Sequence, residues 1–251
     1  MKIHSYKYLM EKSKNQRTDD LLSFLDGKIS EQTLIVWDLD YTLIGPKSEV
    51  FALHNISSHR DVFLNEVRNL GPLRNNFLNY LCYKEITIPN DFGIKPLFKK
   101  IHAQNCHTVA LSSMTFKPIF ELSEPHKSRL KLLNDAGIYF SNQDESKKKD
   151  YLLYKGMILS DSVMEEGKAQ SLKDYIKRAE IEPKTIVYID DNTDNYIELS
   201  KYLGTHFQII FFEYLNYFDP KKTVLEKAKF SRIMNQEIQL FKAKSANNQP
   251  F

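Results

Sequence analysis

A chain of 251 residues with 42% apolar side chains can build one large core, or a core with a smaller insertion, without a disulfide or metal staple. Its 35 basic and 32 acidic residues leave a formal charge of +3, with none of the lopsided balance of a nucleic-acid binder, so no nucleic-acid partner is expected. Cys82 and Cys106 form no CxxC pair and fit a reducing compartment. The charged N-terminus and the lack of any apolar run of ~18 residues point to a cytoplasmic protein without a signal peptide or membrane span.

The first strand is read at Thr33-Leu-Ile-Val-Trp37. Further apolar runs at 108–111, 151–159, 185–189 and 207–212 give four more, several of them continuous, the pattern of strands buried on both faces. Between the first two, residues 46–89 carry helical spacing. Phe63, Val67 and Leu70 share a face, and after Gly71-Pro72 so do Leu73, Phe77 and Leu81. This stretch is read as a small helical cap inserted after the first strand. Helical spacing returns at 169–178, with Leu172 and Ile176 on one face, and at 196–203, after a cap at Thr193 and before Gly204. The alternation predicts an α/β fold with a doubly wound parallel sheet over 1–45 and 90–220, with ligands outside the C-terminal ends of its strands. Asp219-Pro220 opens a last helix running to about 245, within a segment 221–251 that frays at its end. Val224, Ala228, Ser231, Met234, Ile238 and Phe241 lie along one side of it. Its surplus of Lys and Arg over Glu226 and Glu237 is read as the solvated face of a helix docked on the core, in preference to a contact with an acidic membrane.

Chemistry concentrates at the strand ends. The first strand runs into Asp38-Leu-Asp40, and the run at 185–189 goes straight into Asp190-Asp191. Paired carboxylates at a strand tip suit Mg²⁺, which prefers oxygen ligands at ~2.1 Å. They also suit covalent catalysis, one attacking phosphorus while the other exchanges protons with the leaving group. Two such pairs at one sheet edge repel each other unless a cation neutralises them. The second strand ends in Ser112-Ser113, which can present a hydroxyl and backbone N–H groups to an anion. Lys168, at a helix start, can reach a phosphate and offset the charge of an attacking carboxylate. The seven histidines form no metal-ligand spacing, and Cys106 is read as a small packing residue.

In this order the residues resemble the haloacid-dehalogenase (HAD) superfamily. Its four motifs match Asp38-Leu-Asp40-Tyr-Thr42, Ser112, Lys168 and Asp190-Asp191. The resemblance implies a HAD-like core and a phosphatase that forms an aspartyl-phosphate on Asp38. Asp40 is then the general acid and base, lending its carbonyl to the metal, and Thr42 supports the loop. Ser112 and Lys168 hold the phosphoryl oxygens. Mg²⁺ is bound by Asp38, Asp40, Asp190 and Asp191, with Asp194 an alternative to Asp191 because the family also uses a spaced D-x-x-x-D.

The first motif is also similar to the WDLDxT signature of the eyes-absent tyrosine phosphatases, and the motif layout resembles HAD proteins that intracellular bacteria inject into host cells. These likenesses imply a phosphorylated protein as substrate, phosphotyrosine above all. Phe51, Phe63 and Tyr80 of the insert are candidates to line the ring's approach. The rival readings are a housekeeping phosphatase of a sugar phosphate or nucleotide, and a catalytically weak binding protein on a HAD scaffold. Four intact motifs argue against the second.

Overall fold

The computed structural model describes residues 18–83, 86–87, 94–119, 123–141, 143–148, 151–160, 167–214 and 223–247. In chain order these form α1 (Thr18–Leu25), β1 (Thr33–Trp37), β2 (Gly45–Pro46), α2 (Leu53–Ser58), α3 (Arg60–Arg68), α4 (Arg74–Tyr83), β3 (Ile86–Thr87) and α5 (Ile94–Ala103). There follow β4 (His107–Ser112), α6 (Pro125–Asp135), β5 (Glu145–Lys147), β6 (Tyr151–Tyr154), β7 (Met157–Ser160), α7 (Gly167–Arg178), β8 (Thr185–Asp190), α8 (Thr193–Leu203), β9 (Gln208–Glu213) and α9 (Lys227–Asn247). No described helix is long and apolar enough to cross a membrane.

Seven strands make one sheet in the order β5-β6-β7-β4-β1-β8-β9. From β7 to β9 every neighbour is parallel, so the expected α/β architecture is present. Both sheet faces are covered, which is why β1 has no polar alternation. Ile35 and Trp37 pack beneath α1 and α5, while Leu34 and Val36 pack beneath α7 and α8. The chain leaves β1 for β4 on one side and returns to β8 on the other. The C-terminal tips of β1 and β8 therefore flank the switch point where such sheets bind ligands.

One strand reading needs correction. Residues 151–159 are not a single strand but an antiparallel hairpin of β6 and β7, turning at Lys155-Gly156. Both turn residues have positive φ, 47° and 81°, the geometry that matches the twist of a two-residue hairpin. The two arms are apolar because both are buried on both faces, and Lys155-Gly156 between them is the sequence's signal of the break.

The segment after β1 folds into α2, α3 and α4, whose apolar faces form a separate cluster with α9 rather than joining either face of the sheet. Val67, Leu70, Phe77 and Tyr80 meet Phe230, Met234, Ile238 and Phe241 there. The last four recur at helical spacing and make the buried stripe of α9. The stripe thus begins at Phe230, while Val224 and Ala228 are exposed. The larger Phe side chain removes more apolar area from water than Ala228 or Ser231 could, and it sets the helix's rotation. The docking partner also differs from the expected one: α9 lies on α3 and α4. His59 Nε2 donates to the Leu225 carbonyl at 2.6 Å, and Leu225 N donates to Asn55 Oδ1 at 2.8 Å, which ties the approach to α9 onto the inserted helices. Asp219 and Pro220, expected to start this helix, lie outside the described residues.

Candidate active site

The loop leaving β1 is wound tightly. Leu43 N and Ile44 N both donate to the Leu39 carbonyl, at 2.9 and 2.8 Å, and Tyr41 N donates to Ile44 O at 2.6 Å. Tyr41 takes φ 62°, a left-handed conformation that a bulky residue adopts only where its surroundings enforce it. Its hydroxyl donates to the Phe51 carbonyl at 3.0 Å, which ties the loop to the inserted segment. The Asp38 amide donates to Ile189 O at 2.8 Å, so β1 and β8 stay joined up to the first carboxylate.

Asp38 is buried, and Lys168 Nζ donates to its Oδ1 at 2.6 Å. The same ammonium lies 3.5 Å from Asp190 Oδ2 and 3.4 Å from the Tyr188 hydroxyl, which itself donates to Asp190. Asp190 has no exposed surface. It accepts from Asn192 N at 2.8 Å and from Asn195 Nδ2 at 2.9 and 3.1 Å, so its orientation is over-determined. One carboxylate oxygen from each of Asp38, Asp190 and Asp191 lies within 4.8 Å of the other two. Thr42 Oγ1 donates to Asp191 Oδ1 at 3.4 Å, linking the first loop to the fourth motif. Asp194 stays apart and exposed. Its amide is capped by the Asn192 side chain at 3.0 Å, so Asn192 and not Thr193 is the N-cap of α8. Of the two alternatives left open by the sequence, Asp191 is the one beside Asp190.

Asp40 faces a different set of partners. Its Oδ1 forms a 2.9 Å ion pair with Arg129 Nη1, and its Oδ2 accepts from Ser112 Oγ at 3.1 Å. The Asp40 carboxylate is therefore not one of the three clustered carboxylates, because Arg129 and Ser112 engage both its oxygens, and the metal contact expected of Asp40 is through its backbone carbonyl. The hydroxyl of Ser112, the residue expected on a phosphoryl group, donates to Asp40 Oδ2. Arg129, Tyr188 and Asn195 were missed in the sequence. Tyr188 reads as one more apolar strand residue and Asn195 as a polar helix start. Arg129 did leave a signal: it stands on the buried stripe of α6, three residues after His126 and four before Leu133.

Burial pushes the Asp38 carboxyl well above its ordinary range. Lys168 opposes that shift, and the neighbouring Asp190, Asp191 and Asp40 add to it. Burial, followed by Asp190, pushes Asp191 up to about 7. Lys168 moves upward although burial alone would lower it, because Asp38 and Asp190 favour its charged form. Three carboxylates thus face one ammonium in a mostly dry crevice. The all-oxygen donor set and surplus negative charge fit a hard divalent cation.

A stability prediction follows from the sign of these shifts. Between about pH 4 and pH 7 the folded protein keeps a proton on Asp191 that the unfolded chain has lost, so stability falls as pH rises through that window. Metal-free protein should therefore melt at a lower temperature at pH 8 than at pH 5. Excess divalent cation should raise Tm more at pH 8, where it no longer competes with a proton. Thermal melts with and without EDTA at both pH values check this; a cation shift of equal size at both would contradict it.

Residues 14–244 match a family described as proteins of unknown function, DUF2608. The chain belongs to that family. No curated protein matches this family member. Among solved structures, a HAD family hydrolase from Salmonella enterica subsp. enterica serovar Typhi is similar at a TM-score of 0.37 and 17% identity, over 82% of this chain and 81% of that one.

Proposed function

We propose that this protein is a Mg²⁺-dependent phosphomonoester hydrolase of the HAD type that prefers phosphotyrosine. The observation that carries the chemistry is Asp38, bonded to Lys168 at 2.6 Å and grouped with Asp190 and Asp191 at the switch point of the sheet. Mg²⁺ held by Asp38, Asp190 and Asp191 would supply neutralisation for the negative phosphoryl oxygens. Lys168 orients the Asp38 carboxylate and offsets its charge as the anion arrives. The Asp38 oxygen attacks phosphorus, the bond to the leaving oxygen breaks, and Asp40 hands that oxygen a proton. Asp40 then takes a proton from water, which attacks the aspartyl-phosphate and releases inorganic phosphate with Asp38 restored.

The substrate preference rests on the cavity beside Asp40. It holds about 250 Å³, and its walls include Tyr41, Ile44, Phe51, Phe63, Leu81 and Cys82, with no basic residue among them. A cavity of ~150 Å³ suffices for a benzene ring, so a phenolic leaving group fits with room left. Sugar hydroxyls placed there would lose water without gaining partners, a cost of ~1–3 kcal/mol each. Two of the three aromatic residues anticipated from the insert, Phe51 and Phe63, line it. Tyr80 does not, since it packs on Phe77 and Phe241. The likeness of the motif layout to injected bacterial HAD proteins supports delivery into a host cell as part of the same reading.

The test is kcat/KM, with Mg²⁺ present, for phosphotyrosine peptides against phosphoserine peptides and a panel of sugar phosphates and nucleotides. Phosphotyrosine should lead by ~10-fold or more, about one apolar ring's worth of burial. A metabolite turned over with a higher kcat/KM than any phosphotyrosine peptide would replace this substrate and leave the Asp38 chemistry standing.

A further inference from the structure

Arg129 has no exposed surface, although nothing in the chemistry described above uses it. Burying a guanidinium is expensive unless its donors are matched, so its partners are informative. Its Nη1 pairs with Asp40 Oδ1 at 2.9 Å. Its Nη2 donates to the Cys82 carbonyl at 2.7 Å, one of the last carbonyls of α4, which the helix itself leaves without a partner. The guanidinium also lies 4.5 Å over the Tyr83 ring, whose hydroxyl donates to Thr115 O at 2.8 Å, just past β4. One rigid planar group on α6 therefore spans the second carboxylate of the first motif and the end of the last inserted helix.

We infer that Arg129 is a positioning residue for Asp40: with Ser112 it clamps both carboxylate oxygens, and it makes that clamp depend on the docked end of α4. The inference rests on the reading of Asp40 as the group that protonates the leaving oxygen. Clamped from the side of α6 and β4, the carboxylate keeps its remaining exposed surface, 27% of the side chain, for the substrate. Asp40 also lines the apolar cavity, so the leaving oxygen of a ring seated there arrives beside a carboxylate already held in place. Lysine is a poor substitute, because a single flexible ammonium does not hold one nitrogen at Asp40 and another at the Cys82 carbonyl at the fixed separation of the planar guanidinium.

The experiment compares wild type, Arg129→Lys, Arg129→Met and Asp40→Asn, each with saturating Mg²⁺, on p-nitrophenyl phosphate and on an alkyl phosphate. Thermal melts accompany the kinetics, since Arg129→Met removes a buried charge and can cost the fold; Arg129→Lys keeps the charge and carries the comparison in that case. In Arg129→Lys, kcat on the alkyl phosphate should fall ~10-fold or more beyond any fall on p-nitrophenyl phosphate, part of the ~10²–10⁴-fold span of general acid catalysis. KM should stay within a few-fold. Adding Asp40→Asn to Arg129→Lys should deepen the selectivity no further than Asp40→Asn alone, since both act on one proton transfer. Equal losses on the two substrates in Arg129→Lys, with Asp40→Asn still selective, would reduce Arg129 to a structural residue. Equal losses in Asp40→Asn itself would remove the acid/base reading and this inference with it.

Discussion

Asp38→Asn is expected to lower turnover of an aryl phosphate by ~10⁴-fold or more, the scale seen when a covalent nucleophile is removed. The amide nearly matches the carboxylate in shape and can still accept a hydrogen bond from Lys168 through its oxygen. Its amide oxygen is too weak a nucleophile to form the aspartyl-phosphate. Lys168 also stays close to Asp190, 3.5 Å away, so the ammonium does not lose all its negative neighbours and the fold should survive. Excess EDTA should silence the wild-type protein to a similar degree, because the clustered carboxylates then repel an incoming phosphate unaided. Steady-state turnover of p-nitrophenyl phosphate measures both effects. Beryllofluoride, a phosphoryl mimic, should bind wild type covalently at Asp38 and fail to do so in the variant. Activity within tenfold of wild type in Asp38→Asn would end the assignment.

Asp40→Asn should be equally damaging on some substrates and mild on others. If Asp40 supplies the leaving-group proton, an alkyl phosphate should lose ~10²–10⁴-fold in kcat, because an alkoxide does not depart without a proton. A nitrophenolate leaves unaided and should lose far less. Phosphotyrosine falls between them, since its phenol has a pKa near ~10. Metal affinity is expected to change little, because the Asp40 carboxylate is paired with Arg129 and Ser112 and is not one of the three clustered groups. A plot of log kcat against leaving-group pKa should therefore be steeper for the variant than for wild type. Parallel lines would assign Asp40 to charge or metal binding instead.

The order of the motifs and the sheet they end on were legible in the sequence because both follow from local rules. A strand buried on two faces must be apolar throughout, so Thr33–Trp37 and the run through Ile189 announce themselves. A carboxylate directly after such a run has nowhere to be but the strand's tip. Asp38, Asp190 and Asp191 therefore converge once the strands pair in parallel, as β1 and β8 do over their whole length. Lys168 joins them because α7 begins at the same edge of the sheet.

What pairs with what could not be read locally. Arg129 is 89 residues from Asp40 and sits in a helix rich in lysine, where a cation is ordinarily solvated. Only the packing of α6 against the end of α4 turns it inward. Ser112 likewise faces Asp40 or an anion according to a side-chain rotation that spacing does not encode. The helices of the insert were visible from their periodicity, but an apolar stripe says only that it must be covered. That α9, more than 140 residues later, covers it was decided by tertiary structure. The physical reason is common to all three cases. The hydrophobic effect is non-directional and fixes which residues leave water, whereas hydrogen bonds and ion pairs are directional and are chosen only after the chain has brought distant partners within reach.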